Sequence, residues 1–470
     1  MINHNLKIYN TLSGKKEKFS PIKKKKVNIF VCGVTVFDFS HIGHARTYIV
    51  FDSFVKYLKQ VGFSVFYLQN ITDLDDKIIA RSREKEVEPK SLATAFTKEY
   101  LKDMKVLGVD SVTKYAKATS YIKEIINQIE KLFKKGYAYK LEDGIYYDIS
   151  KFKNYGKLSG RTILGAEDAV SRIDYSRNKR NRGDFCLWKF RQEETEPSWS
   201  SPFGKGRPGW HIEDTAITEK FFGPQYDIHG GGRDLIFPHH EAEISQMEAI
   251  SGKRPLVRYW MHTGFLTIDG QKMSKSLGNF MTISDFLKRN SRQQLRFLIL
   301  KNLWHSPFDY SESVMIEVRA SLEKIEEFLR KLNDIKTIKS TDKNLKKLFE
   351  KSEKDFYREL DDDFNTPRAF AVLFDLIKET NKFIDKDLVS KSQAKEIYNF
   401  FEKIDKIFGI IDFKKTKNKK IPVAIKKLID EREKYRQQQN WLKSDEIRLE
   451  LEKKGYLVED TKAGQIVKNI

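Results

Sequence analysis

Two cysteines in 470 residues, Cys32 and Cys186, leave no disulfide framework to build a fold on. No apolar run approaches the roughly 20 residues a bilayer-crossing helix needs. The first ten residues lack the apolar core of a secretory signal. Neither a disulfide-stapled secreted module nor a membrane-spanning segment is therefore expected. The expected location is the cytoplasm, with no membrane among the partners. No internal repeat is visible, which argues against a solenoid or propeller.

A chain of this length exceeds one ordinary domain, so three or more are expected. Hydrophobic residues at 40% and aromatics at 13% suffice for packed cores. The net charge of +21 suits a polyanionic partner such as RNA, DNA or an anionic membrane surface. A lysine-rich composition throughout accounts for it equally well, so charge alone names no partner.

Residues 27–33 (VNIFVCG) read as a short strand, and residues 64–71 (SVFYLQNI) as another. Between them Ala45, Tyr48, Ile49, Asp52, Val55 and Leu58 recur at helical spacing, all but Asp52 apolar or aromatic. Strand, helix, strand predicts a βαβ unit and a parallel sheet, so the fold class is α/β and Rossmann-like. Ligands bind such sheets at the carboxyl ends of the strands, where Cys32 and residues 70–73 fall. Pro238 is placed to open a helix. From about residue 290 the pattern is helical, with no strand expected until near the end. A basic run, KKTKNKK (414–420), reads as a linker, followed by a helical stretch over 423–454 and a possible short strand pair.

Two short motifs carry chemistry. His41-Ile42-Gly43-His44 lies between the first strand and its helix. A helix N-terminus offers unpaired N–H groups and the positive end of the dipole, imidazoles can donate to phosphate oxygens, and Gly43 leaves room for a base. Lys272-Met273-Ser274-Lys275-Ser276 is flanked by Gly270 and Gly278. Two ammonium groups on a short glycine-flanked loop can neutralise a triphosphate or a departing pyrophosphate.

In this order the pair resembles the signature motifs of class I aminoacyl-tRNA synthetases. Longer blocks resemble the cysteine-specific branch: VCGVTVFDFSHIGHAR (31–46), NITDLDDKIIARS (70–82), PSWSSPFGKGRPGWHIE (197–213), DIHGGGRDLIFPHHEAEI (227–244), HTGFLTIDGQKMSKSLGNF (262–280) and DDDFNTPRAFAVLF (361–374). The resemblance implies a ligase that activates L-cysteine with ATP and Mg²⁺ and then transfers it to tRNA(Cys), and one that acts as a monomer. It implies that His41, His44, Lys272 and Lys275 are catalytic, that Gly43, His229 and Ser274 join them at ATP, and that Cys32, Thr72, Trp210 and Asp234 line the cysteine pocket. For Trp210 a core role weighs as much.

The resemblance also implies a zinc ion held by two Cys, one His and one Glu. The matching positions are Cys32, Asp214, His239 and Glu243, so this chain carries Asp where the family has Cys. Aspartate can ligate zinc, giving a harder, less thiolate-rich site; the other reading of Asp214 is a pocket carboxylate without metal. Cys186, in DFCLW, reads as a packed apolar residue.

The expected organisation is a catalytic domain over 1–118 and 205–258, a connective insertion over 119–204, a segment 259–315 carrying the lysine loop, a helical bundle over 316–412 and an anticodon-binding domain over 421–470. In the last, Arg432, Arg436 and Arg448 are candidates for phosphates, and Trp441 for stacking on a base or for core. Two rival functions remain: an ATP-dependent ligase joining cysteine to an amino-sugar, against which residues 420–470 argue, and an inactive RNA-binding paralogue, against which the intact histidines and lysines argue.

Overall fold

The structure is a computed structural model that describes residues 4–161, 178–273, 278–337, 341–416, 422–461 and 464–469. Ser274 and Lys275 lie outside the described residues, as does the middle of the expected insertion.

A five-stranded parallel sheet organises the catalytic half. Its strands are β1 (Lys26–Val31), β2 (Ser64–Ile71), β3 (Lys114–Lys117), β4 (Tyr226–Gly232) and β5 (Val257–Thr263), in the order β5-β4-β1-β2-β3. The register sets Ile228 beside both Ile29 and Tyr259, and Ile29 beside Tyr67. Strands this apolar suit a sheet covered on both faces. The order reverses between β1 and β4, and that switch point opens the crevice in which ligands bind.

Helix α1 (Ile42–Gln60) connects β1 to β2. Its buried residues run all round it, from Ile42 and Ala45 to Tyr57 and Leu58, because the sheet covers one side and helices cover the other. One of these neighbours is helix Arg292–Leu300, whose Arg296 reaches Asp52 of α1 at 3.0 Å, both groups fully buried. Arg296 also donates to the carbonyls of Phe408 and Leu107.

Beyond β3, helix Ile122–Lys134 leads into an antiparallel four-stranded sheet of Ala138–Lys140, Gly144–Tyr147, Phe185–Phe190 and Gly206–Pro208. Gly206–Pro208 pairs within this sheet, although it falls after residue 204. Helix α2 (Trp210–Phe222) follows directly, and helix α3 (Glu241–Ser251) connects β4 to β5.

Three local readings are corrected. Pro238 does not open α3; the residue before it, Phe237, is extended (φ −138°, ψ 132°), and the α-helix begins at Glu241. The cause is the steric push of a proline ring on its predecessor. A short strand, Phe308–Tyr310, stands where only helix was expected and pairs with Leu266–Ile268, which in turn pairs with Gln271–Lys272. The late helical stretch is two helices, Val423–Gln437 and Trp441–Lys453, followed by the expected hairpin, Tyr456–Thr461 with Gly464–Asn469.

Candidate active site

His41 is the N-cap of α1. Its Nδ1 accepts from the N–H groups of Gly43 (3.1 Å) and His44 (3.3 Å), while His44 Nδ1 accepts from the His41 N–H (3.4 Å). This reciprocal cap decides the tautomer: both Nδ1 atoms are acceptors, so each neutral ring carries its proton on Nε2. The rings stack with centroids 3.7 Å apart. Burial, and then the neighbouring His41 ring, hold the His44 imidazole well below its usual range, keeping it neutral.

The segment after the lysine loop docks on this cap. The Ile42 N–H donates to the Met281 carbonyl and the Ile283 N–H to the Ser40 carbonyl, so His41 and Thr282 pair as in a sheet. The Phe280 ring lies 5.3 Å from that of His41. The described residues on either side of the lysine loop, Met273 through its methyl near Gly43 and Phe280 to Thr282, therefore border the imidazoles. Lys272 Nζ sits 5.9 Å from the centre of the Phe265 ring.

A second centre lies at the β1–β4 switch point. Cys32 follows β1, and its Sγ lies 3.4 Å from Asp214 Oδ2, 3.3 Å from His229 Nε2 and 3.1 Å from His240 Nε2. His239 Nε2 lies 3.0 Å from Asp214 Oδ2 and 3.4 Å from Glu243 Oε1. Asn70 donates to Asp214 Oδ1 at 2.6 Å, leaving Oδ2 for Cys32 and His239. Cys32, Asp214, His229, His239, His240 and Glu243 are all buried. Burial, reinforced by Asp214 and Glu243, pushes the Cys32 thiol well above its usual range, and burial with Asp214 does the same to the Glu243 carboxyl. Among the described residues neither oxygen of Glu243 has a hydrogen-bond partner. Two carboxylates and a thiol gathered out of water are a set of donors that a cation would satisfy.

Of the expected pocket residues, Thr72 is buried beside this cluster and donates to Glu213 at 3.2 Å. Trp210 stacks on His239, centroids 4.2 Å apart. Asp234 lies at the exposed rim, in the turn after β4. His229 was expected at the nucleotide. Its ring is instead fully buried, stacked on Trp260 with centroids 4.4 Å apart and bound to the cysteine cluster. Gly33 and Gly231 admit these groups: a Cβ on Gly33 would meet the Asn70 carbonyl at 1.8 Å, and one on Gly231 would meet the His240 ring at 2.9 Å.

Sequence reasoning missed His211, His240 and His262. His211 Nδ1 lies 2.8 Å from His239 Nδ1, His262 Nε2 lies 2.8 Å from His240 Nδ1, and His262 Nδ1 lies 2.8 Å from Thr11 Oγ1. The available signal was that five of the nine histidines sit in three blocks already singled out.

At the other end, Arg432 is buried and forms a bidentate pair with Asp460 (2.9 Å each), so it braces the fold rather than facing a phosphate. Trp441 is 56% exposed, which excludes the core alternative, and the Arg436 guanidinium lies 5.9 Å from its ring centre. Cys186 packs with Tyr139 and Tyr146 as expected. Among the described residues no helix is long and apolar enough to cross a membrane.

Residues 18–320 match the family model described as the tRNA synthetases class I (C) catalytic domain, residues 355–412 the DALR domain, and residues 418–467 the cysteinyl-tRNA ligase anticodon binding domain. The chain is 46% identical over 453 residues to a cysteine–tRNA ligase of Thermoplasma volcanium, covering 96% of this chain and 97% of that one. It is 44% identical to a cysteine–tRNA ligase of Methanococcus maripaludis, covering 99% of each. Among solved structures, a Mycobacterium tuberculosis methionyl-tRNA synthetase in complex with methionyl-adenylate matches with a TM-score of 0.62 at 13% identity, over 82% of this chain and 90% of that one. That likeness speaks for the fold alone.

Proposed function

The chain belongs to the cysteine–tRNA ligase family of class I synthetases, and we propose that its two centres divide the work of that reaction between them. The enzyme activates cysteine with ATP and passes it to tRNA. The amino-sugar ligase and the inactive paralogue are not favoured, since the relatives match from end to end and residues 418–467 match an anticodon-binding domain.

In the first step the cysteine carboxylate attacks the α-phosphate of ATP, which enters with Mg²⁺, and pyrophosphate leaves. His41 and His44 donate their Nε2 protons to phosphate oxygens, from rings whose tautomer the α1 cap fixes. Lys272 and Lys275 neutralise the departing pyrophosphate. Groups held in place before the charge develops need no reorganisation, so positioning and electrostatics carry the rate. In the second step a hydroxyl of the terminal ribose attacks the adenylate carbonyl and AMP leaves. The observation that carries this reading is the pairing of His41 with Thr282, which borders the imidazoles with the lysine loop.

Cys32, Asp214, His239 and Glu243 fit a zinc ion by donor chemistry and by the two unpartnered oxygens of Glu243. Such an ion supplies a soft acceptor for the substrate thiol that serine's hydroxyl matches poorly. Thr72, Trp210 and Asp234 complete the pocket, with Trp210 as the wall over His239. Trp441 and Arg436 face the tRNA, Trp441 offering a stacking platform for a base. The domain boundaries are those given above, except that the insertion runs on through Pro208, whose strand pairs with Phe185–Phe190, and the enzyme works in the cytoplasm as a monomer.

The test is ATP–pyrophosphate exchange with cysteine and with serine, each with and without a chelator. Exchange with cysteine alone, losing its preference once metal is stripped, is expected. Equal exchange with serine by the untreated enzyme would end this reading of the pocket.

A further inference from the structure

The buried cluster holds more donors than a tetrahedral ion can use. Cys32, Asp214, His239 and Glu243 form one set of four, and Cys32, His229, His240 and Glu243 form another, with the donor atoms of each set within 4.8 Å of one another. Cys32 and Glu243 belong to both, so one ion fills one set at a time. We propose that the second set is a metal seat in its own right, and that a single ion can occupy either seat. This rests on the metal reading above and deepens it.

Three observations carry the second seat. The first is distance. With Zn–N near 2.0–2.1 Å and Zn–S near 2.3 Å, neighbouring ligand atoms on a tetrahedron stand roughly 3.3–3.7 Å apart. Cys32 Sγ lies 3.3 Å from His229 Nε2 and 3.1 Å from His240 Nε2, and Glu243 Oε1 lies 3.9 Å from His240 Nε2.

The second is outer support. A ligating imidazole is normally oriented through its other nitrogen. His240 Nδ1 lies 2.8 Å from His262 Nε2, whose Nδ1 is in turn 2.8 Å from Thr11 Oγ1. His229 Nδ1 lies 2.7 Å from the Tyr226 hydroxyl. Both rings are thereby turned to present Nε2 to Cys32. The third is Glu243, whose Oε1 borders both seats, 3.4 Å from His239 Nε2 and 3.9 Å from His240 Nε2, while among the described residues neither of its oxygens has a hydrogen-bond partner.

The donor types favour the second seat for zinc. The first offers one sulfur, one nitrogen and two carboxylates; the second offers one sulfur, two nitrogens and one carboxylate. Nitrogen and sulfur suit zinc better than oxygen does. Asp214, standing where the family has cysteine, hardens only the first seat. The second gives this chain a way to keep its ion without a second thiolate.

The experiment measures bound metal after dialysis, and the visible spectrum of the Co²⁺ form, for the full-length wild type, Asp214→Ala, His240→Gln and the double variant. Circular dichroism melts confirm that each folds. Each single variant should retain the ion through the seat it leaves intact, with shifted Co²⁺ d–d bands. The double variant should bind it more than about 100-fold more weakly, beyond the usual cost of disturbing only outer support. Loss of the ion from folded Asp214→Ala, or its retention by the double variant, overturns the second seat. A wild type that binds no ion overturns the metal reading itself, and the second seat with it.

Discussion

A Cβ added to Gly43 would stand 3.2 Å from the methyl of Met273 and 2.8 Å from His41 Nδ1. Met273 ends a flexible side chain and can yield. The His41 ring is fixed by the cap and can move only by giving up its bonds to the Gly43 and His44 N–H groups. Gly43→Ala should therefore slow pyrophosphate exchange by at least about tenfold, since a misplacement of 1 Å can cost about a hundredfold. The melting temperature should change little, and exchange kinetics beside a thermal melt would show both.

Capping and chemistry can be separated at His41. Asparagine is a strong N-cap, so His41→Asn keeps an acceptor for the exposed N–H groups of α1 but removes the Nε2 proton. Stability should stay within about 1 kcal/mol of wild type, the scale of a cap. Exchange should fall about 10²–10³-fold, the effect of losing one donor to developing charge. Equal loss of stability and rate would mean that His41 is structural only.

The pair of Asp52 and Arg296 should be expensive to break. Both are fully buried at 3.0 Å, and Asp52 also accepts from Lys56 and from the Ser111 N–H. Removing one member of a buried pair costs about 3–5 kcal/mol. Arg296→Met should lower the urea midpoint accordingly.

Asp405 sets a pH dependence. Burial pushes its carboxyl up to about 6, against hydrogen bonds from the Ile410 and Ile411 N–H groups. Between the ordinary value of 3.8 and about 6 the native state holds a proton that the unfolded state has released. Stability from this group therefore falls as pH rises through that window and is flat above it. Asp405→Asn should remove the slope, melting progressively higher relative to wild type from pH 4 to about 6.5.

Gly230 packs against Phe51, where a Cβ would come within 2.2 Å of the ring. Gly230→Ala should cost about 1–3 kcal/mol, as overpacked cores do. Phe51→Leu should then cost less in that background than in wild type. A double-mutant cycle by chemical denaturation checks this, and additivity would refute the collision.

The βαβ start, the parallel sheet and the α1 motif were legible because each rests on local pattern: apolar strands, helical spacing and a cap-forming segment. The long blocks around Cys32 and His239 pointed to the metal-competent cluster. What was hidden depends on contacts distant in sequence. His229 was read with its glycine turn, but β4 carries the ring inward onto Trp260. His240 stood beside a residue already chosen, and only the extended Phe237 and the late start of α3 turn both imidazoles into one cavity. Arg432 is indistinguishable from any solvated arginine until the hairpin brings Asp460 to it, 28 residues later.

Arg296 spreads one guanidinium over three stretches of chain: Asp52 and Ser53 in α1, the end of the helix Pro89–Leu107, and the Phe408 carbonyl at the end of the helix Lys391–Phe408. A side chain used in this way works as a keystone. The helix that presents the imidazoles and the bundle leading towards the RNA-reading end share a fixed point in dry surroundings, and a fragment ending short of residue 296 would leave the buried Asp52 with only the half-buried Lys56 as counter-charge. Catalytic half and helical half are accordingly pinned to each other through one buried side chain.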